Sequence, residues 1–370
     1  MDRKVKEPLF HLVKRDNLPR RSRILIRAVA IVLALLLCAA ITAFATGINP
    51  MEVYKSIVIG AFGTSRKTWI TLQDLSVLLL ISLALTPAFS MRFWNIGGEG
   101  QVLIGGLATA ACMICLEGKV PGAVIIILSI VSSIAAGALW GLIPAVCKAK
   151  WNTNETLMTL MMNYIATQLV SFFIIVWEVP KGSGKIGIIN QNSHDGWMPS
   201  VFGSKYMLCI LVSLAVMVFL YIYLKYSKHG YEIQVVGESE NTARYVGIKV
   251  GKVIIRTMLL SGALCGLAGM LLVGSINHTI TTTIAGGQGF TAVLVSWMAK
   301  FNPFNMVMSA FLIIFMKRGA GEIATNFGLN QSFADILTGI ILFFIIGCEF
   351  FINYRIKRSE RHESKGEEAC

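Results

Sequence analysis

The segment Asn95-Ile96-Gly97-Gly98-Glu99-Gly100-Gln101 sets a carboxylate, two side-chain amides and three glycines between apolar runs that end near Ser90 and resume at Val102. An ionisable group at such a break is costly inside a membrane unless it meets a partner or a water-filled cavity. Two roles fit Glu99: it caps the helix that follows, where orphan N–H groups stabilise a carboxylate, or it faces a passage. Arg92 is a nearby candidate counter-ion. A second short apolar run opens in a similar way, at Gly287-Gln288-Gly289-Phe290. In the expected topology the two runs enter the membrane from opposite faces, as an inverted repeat would, and such repeats place passages between broken helices near the midplane. Two unrelated loops with chance glycine content are the alternative. A third polar set, Asn154, Glu155 and Asn163, has offsets that put Glu155 and Asn163 near one helix face. It suits either pore lining or interhelical hydrogen bonding worth about 1 kcal/mol. The candidate pathway residues are therefore Asn95, Glu99, Gln101, Glu155, Asn163 and Gln288.

Other chemistries lack their residues. No GxxxxGK[ST] loop is present to cradle nucleotide phosphates, and Leu260-Ser261-Gly262 lies in an apolar span and is no ATPase signature. His11, His194, His229, His278 and His362 are scattered without ligand spacing. Cys112 and Cys115 form a CxxC, but like most of the eight cysteines they sit in or beside apolar runs, where cysteine behaves as a small hydrophobe. Gly262, Gly266 and Gly269 read as positions of close helix packing, and Asp335 as a charge at a helix start. No catalytic residue, metal or cofactor is assigned.

The elements that must hold these residues follow from composition. Of 370 residues, 55% are apolar or aromatic and 14% charged, whereas soluble domains carry about a quarter charged. The apolar share would fill about ten spans of roughly 20 residues each, which excludes a soluble globular enzyme. The net charge of +13 fits Lys and Arg retained on cytoplasmic loops. Nucleic acid is not an expected partner, since no basic run is interleaved with aromatic residues.

The basic start is followed by an apolar run over 24–46, longer than the roughly 7–15 residues of a signal-peptide core, so it reads as an uncleaved first helix. Further apolar runs occupy 69–90, 102–116, 122–147, 157–177, 206–224, 254–276, 290–299, 303–316 and 332–353, with Pro87 marking a kink or break. The expected organisation is a cytoplasmic tail over 1–23, a transmembrane domain over 24–354 with a structured cytoplasmic loop over 225–256, and a cytoplasmic tail over 355–370. Lys317 and Arg318 fall on the wrong side of this topology, so either the last short spans are re-entrant or these residues are exceptions to the positive-inside bias.

The segment 95–101 resembles the FNIGxEGQ signature of permease subunits in bacterial ABC importers of the ribose, simple-sugar and nucleoside group. Further matches are Gly47-Ile48-Asn49-Pro50, Gly60-Ala61-Phe62-Gly63, Asn154-Glu155-Thr156, Met162-Asn163-Tyr164, the run 237–248, Gly289-Phe290-Thr291-Ala292 and Asn302-Pro303, in order along nearly the whole chain. The stretch after the first helix is more like the nucleoside-uptake branch. Trp94 and Gly98 depart from the signature, and Ala299-Lys300-Phe301 replaces a small, glycine-rich stretch.

The resemblance implies an all-α polytopic helix bundle in the bacterial cell membrane, with both ends cytoplasmic. It implies a permease that translocates nucleosides without covalent chemistry, with a simple-sugar permease as the rival. An ion-coupled secondary transporter is the rival of another class and would want paired intramembrane carboxylates. The implied partners are ATP-binding subunits, which hold the ATP, a second permease and an external substrate-binding lipoprotein. In such importers a short cytoplasmic helix docks into the ATPase. Here Glu238, Ser239, Asn241, Ala243, Arg244, Tyr245 and Gly247 would form it, with Ser239 as N-cap, a helix over 241–246 and Gly247 as its stop.

Overall fold

The computed structural model describes residues 10–15, 18–47 and 49–358. Most of the expected cytoplasmic tails, including His362, and Ile48 of the Gly-Ile-Asn-Pro motif therefore lie outside the described residues. In chain order the elements are β1 (Phe10–Lys14), α1 (Arg20–Thr46), α2 (Pro50–Phe62), α3 (Ser65–Ser90), α4 (Gly98–Leu116), α5 (Gly122–Trp151) and α6 (Glu155–Trp177). They continue with α7 (Met207–Tyr226), α8 (Lys228–Glu238), α9 (Glu240–Tyr245), α10 (Val250–Leu271), a π-helical turn (Leu272–Asn277), α11 (Gln288–Met298), α12 (Pro303–Asn326), α13 (Gln331–Asn353) and β2 (Tyr354–Arg358).

Side chains and glycines set the helix ends. Thr64, Asn154, Ser227 and Asn330 each accept a hydrogen bond from a backbone N–H of the first turn that follows, the usual work of an N-cap. Gly47 closes α1 at φ 72° by donating its N–H to the Ala43 carbonyl. The chain is a helical membrane bundle, and eight helices among the described residues are long and apolar enough to cross a membrane.

Two of the ten expected spans differ. The run 290–299 lies in α11, which has 11 residues, about 16 Å of helix against a hydrocarbon core of roughly 30 Å. The run 303–316 does not stop before Lys317 and Arg318, because α12 carries both charges, and Glu322, inside one helix of 24 residues. The sequence reading ended that span at the first charge, which turned a helix interior into a misplaced loop. It also missed α2, which starts with proline at its first position and has the Met51 N–H donating to Asn49 Oδ1 at 3.0 Å, and the antiparallel pairing of β1 with β2.

The chain packs as two compact units, one of residues 1–60 with 316–370 and one of 61–315. In the first, α1 meets α13 around Ala30, Cys348 and Ile352, and Arg27 Nε donates to Glu349 Oε1 at 2.9 Å. In the same unit α2 lies close on the end of α12: a Cβ on Gly60 would stand 2.7 Å from the Arg318 carbonyl oxygen, and one on Gly319 2.6 Å from Ile57 Cγ2.

The second unit is built around α3, buried on all sides from Thr71 to Phe89 apart from a few positions near its start, and around a seam of glycines. A Cβ on Gly137 of α5 would lie 2.3 Å from the Gly262 carbonyl oxygen, one on Gly266 of α10 2.2 Å from Ser133 O, and one on Gly269 2.1 Å from Val102 O of α4. Such contacts let backbones approach where lipid supplies no hydrophobic drive between helices. Replacing Gly266 with leucine is expected to cost about 1–3 kcal/mol of stability, read as a lower melting temperature in nanodiscs. Gly339→Leu, whose Cβ meets nothing within 4 Å, should stay within about 0.5 kcal/mol.

Candidate functional site

The break between α3 and α4 is held by side-chain amides. Asn95, fully buried, accepts from the Gly97 N–H at 3.0 Å and donates to Ser261 Oγ of α10 at 3.1 Å. Gln101, also buried, donates to Asn95 Oδ1 at 3.4 Å. Asn163 of α6 bridges the break: its Oδ1 accepts from the Gly100 N–H at 2.8 Å and its Nδ2 donates to the Ile96 carbonyl at 3.0 Å. A Cβ on Gly100 would lie 2.8 Å from that Oδ1, so glycine is what allows the α6 amide to approach. The irregular backbone is thereby satisfied within protein, as a membrane interior demands.

Glu99 stands in the first turn of α4, but its carboxylate points to the other break. Its Oε1 accepts from the Gly287 N–H at 2.9 Å and its Oε2 from the Gly289 N–H at 2.7 Å, both at the start of α11. The partners of the carboxylate are thus amides of the second break, and Arg92 is exposed instead. Gly287 has φ 71°, and a Cβ on Gly289 would fall 2.3 Å from the Glu99 nitrogen, so two helix N-termini abut backbone to backbone. Each terminus carries about half a positive charge. The single negative charge between them roughly balances the sum.

The remaining candidates fall elsewhere. Glu155, in the first turn of α6, pairs with Lys148 Nζ of α5 at 3.0 Å, away from the Asn163 bridge. Gln288 is half-buried, and its Oε1 is buried without a hydrogen-bond partner. Beyond these, Trp94 follows α3 and Trp297 ends α11, with ring centroids 4.8 Å apart and both faces partly exposed. Phe89 and Phe301 complete the cluster. Sequence reasoning missed Ser261, a hydroxyl in an apolar span, and the Trp pair; the departure at Trp94 from the signature was the available signal.

The segment between α7 and α10 holds a short helix over Glu240–Tyr245, against the expected 241–246. Ser239 Oγ accepts from the Thr242 N–H at 3.2 Å, and α9 ends in a paired closure: Ile248 N–H to Ala243 O at 2.9 Å and Gly247 N–H to Arg244 O at 3.0 Å, with Gly247 at φ 86°. Ala243 is 0% exposed and packs in one cluster with Met91, Phe93, Ile233 and Val236, whereas Tyr245 is 93% and Val246 61% exposed. Asn241 and Glu238 are exposed, and Arg244 makes a 3.5 Å exposed pair with Glu240. A Cβ on Gly237 would come 2.2 Å from the Ser90 carbonyl oxygen, so α8 bears on the end of α3. The Arg256 guanidinium bonds Glu232 of α8 at 2.9 Å and holds that carboxyl below its usual range. Ala243 of α9 thus shares a buried cluster with Met91 and Phe93, which stand four and two residues before Asn95.

Glu99→Gln keeps the shape but turns an amide NH2 toward one of the two N–H donors. Loss of hydrogen bonds to a charged acceptor is expected to cost about 1.5–3 kcal/mol, measured by thermal unfolding in nanodiscs. An unchanged melting temperature would refute the balancing role.

The sequence profile of the family described as "Branched-chain amino acid transport system / permease component" matches residues 68–346. The guanosine ABC transporter permease protein NupP of Bacillus subtilis is 29% identical, over 88% of this chain and 94% of its own length. The nucleoside ABC transporter permease protein NupB of Lactococcus lactis is 28% identical, over 94% of this chain and 98% of its own. The glucose ABC transporter permease protein TsgB13 of Haloferax volcanii is 24% identical, over 88% of each.

Proposed function

The chain belongs to the family of branched-chain amino acid transport system permease components, and from that premise we propose that it carries nucleosides across the cell membrane. It is the permease of an ATP-driven importer, a transport subunit with ATPase and binding-protein partners. In the proposed assembly a second permease completes the passage, ATP is hydrolysed by subunits docked at α9, and an external lipoprotein delivers the cargo. The chain's ends lie in the cytoplasm.

The observation that carries the reading is the neutralised meeting of helix N-termini at Glu99. Half-helix N-termini in transporters commonly attract anionic groups. Here an internal carboxylate already occupies that role, which suits an uncharged cargo such as a nucleoside over a phosphorylated one. Gln288 Oε1, buried and unengaged, is the group on this cluster with acceptor capacity to spare for a passing N–H or O–H. Asn95, Gln101 and Asn163 position the breaks, and Glu155 braces α6 against α5. Similarity along most of the chain to permeases named for guanosine and nucleosides supports the choice of cargo. The glucose permease is the relative that favours a sugar instead.

In the proposed cycle, closure of the ATPases pushes on Tyr245 and Val246. The push passes through Ala243 to Met91 and Phe93, and so to the break that carries Glu99.

In vesicles holding the full importer, labelled guanosine uptake should require ATP and the ATPase subunits, and excess adenosine should compete while ribose and glucose do not. Uptake by this chain alone on an ion gradient would overturn the importer reading, and competition by glucose would overturn the nucleoside assignment. Gly247→Pro cannot adopt φ 86° and loses the N–H that closes α9. It is expected to leave ATP hydrolysis running while uptake falls, and Arg244→Glu should do the same; coupling retained in both variants would displace the docking site from α9.

A further inference from the structure

Between α1 and α13, within the first unit, lies a cleft of about 480 Å³ whose walls are apolar throughout, including Leu25, Val29, Leu33, Phe344, Gly347 and Phe351. Two observations bear on what fills it. Gly347 sits inside a helix, where glycine costs about 1 kcal/mol relative to alanine, yet a Cβ there would meet nothing within 4 Å. No close helix approach accounts for it, in contrast to the α5–α10 seam, and the space a side chain would take there is open to the cleft that Gly347 lines.

The second observation is charge. Arg21 precedes Leu25 by one turn and Arg23 precedes Ile26 by a little less than one, so both stand at the end of the cleft where α1 begins. Arg21 is exposed, Arg23 is half-buried with its Nε lacking a partner, and Arg355, just past α13, is exposed. The nearby carboxylate, Glu349, is already engaged by Arg27.

We propose that this cleft binds one anionic phospholipid of the cytoplasmic leaflet, with an acyl chain along α1 and α13 and the phosphate on Arg21, Arg23 and Arg355. Positions 25 to 33 span about 12 Å of helix, within the roughly 15 Å of hydrocarbon that half a bilayer provides. Guanidinium groups match phosphate oxygens two at a time, and the cytoplasmic leaflet is the anionic one. The site goes beyond transport itself and uses only the assignment of both chain ends to the cytoplasm.

Native mass spectrometry of the full chain in detergent, titrated with phosphatidylglycerol or phosphatidylcholine, tests the site. Phosphatidylglycerol should bind as a single lipid, about tenfold tighter than phosphatidylcholine. The combined Arg21→Gln, Arg23→Gln and Arg355→Gln replacements should bring it to the phosphatidylcholine level, and Gly347→Leu, which fills the cleft, should weaken both lipids. Equal binding of the two lipids by the native chain, or selectivity untouched by the arginine changes, would overturn the proposal. So would disulfide crosslinking of a Leu33→Cys chain to a second permease in native membranes, which would make the cleft a subunit interface. The arginine changes touch exposed or half-buried surface and keep the test decisive should Gly347→Leu fail to fold.

Discussion

Two helix N-termini that face each other at contact distance repel unless a negative charge stands between them. In this chain the charge is Glu99, and its two oxygens take one N–H each from Gly287 and Gly289. The geometry leaves little freedom. Gly289 must lack a side chain because the Glu99 backbone occupies its place, and Gly100 must lack one because the Asn163 amide does. The amides of Asn95, Gln101 and Asn163 then satisfy the backbone that the break exposes. Hydrogen bonds to ionised groups are among the stronger ones available, and in a low-dielectric setting losing one partner is more costly than in water.

With the ATPases docked at α9 as proposed, that helix and this charge would belong to one mechanical path. Ala243 of the short helix α9 is buried in one cluster with Met91, Phe93, Ile233 and Val236, while Tyr245 is exposed. A docked partner would hold the exposed side chains, and the buried methyl would relay displacement into the segment that precedes Asn95.

Much of this was legible in the sequence where local rules govern. The Ser239 cap, the Gly247 stop and the apolar runs announced α9 and most spans, since capping and hydrophobic length are read over a few residues. The Gly262, Gly266 and Gly269 spacing announced a packing seam. The partner of Glu99 was not legible, because it lies 188 positions away in the chain and depends on how the two breaks come together. The same holds for the Asn95–Ser261 bond and the Trp94–Trp297 contact. The end of α12 was misread for a different reason: Lys317, Arg318 and Glu322 look like a loop by composition, yet they continue a helix whose face is covered by α2.

The glycine seam has a consequence for motion. Where α4, α5 and α10 touch through backbone at Gly105, Gly137, Gly262, Gly266 and Gly269, no layer of side chains lies between them to change rotamer and absorb a shift. Packed interfaces rearrange by discrete repacking and do not deform continuously. The three helices must then travel as a single stiff body, and any change of access has to be taken up at their outer faces, where α6 meets α4 through the Asn163 side chain.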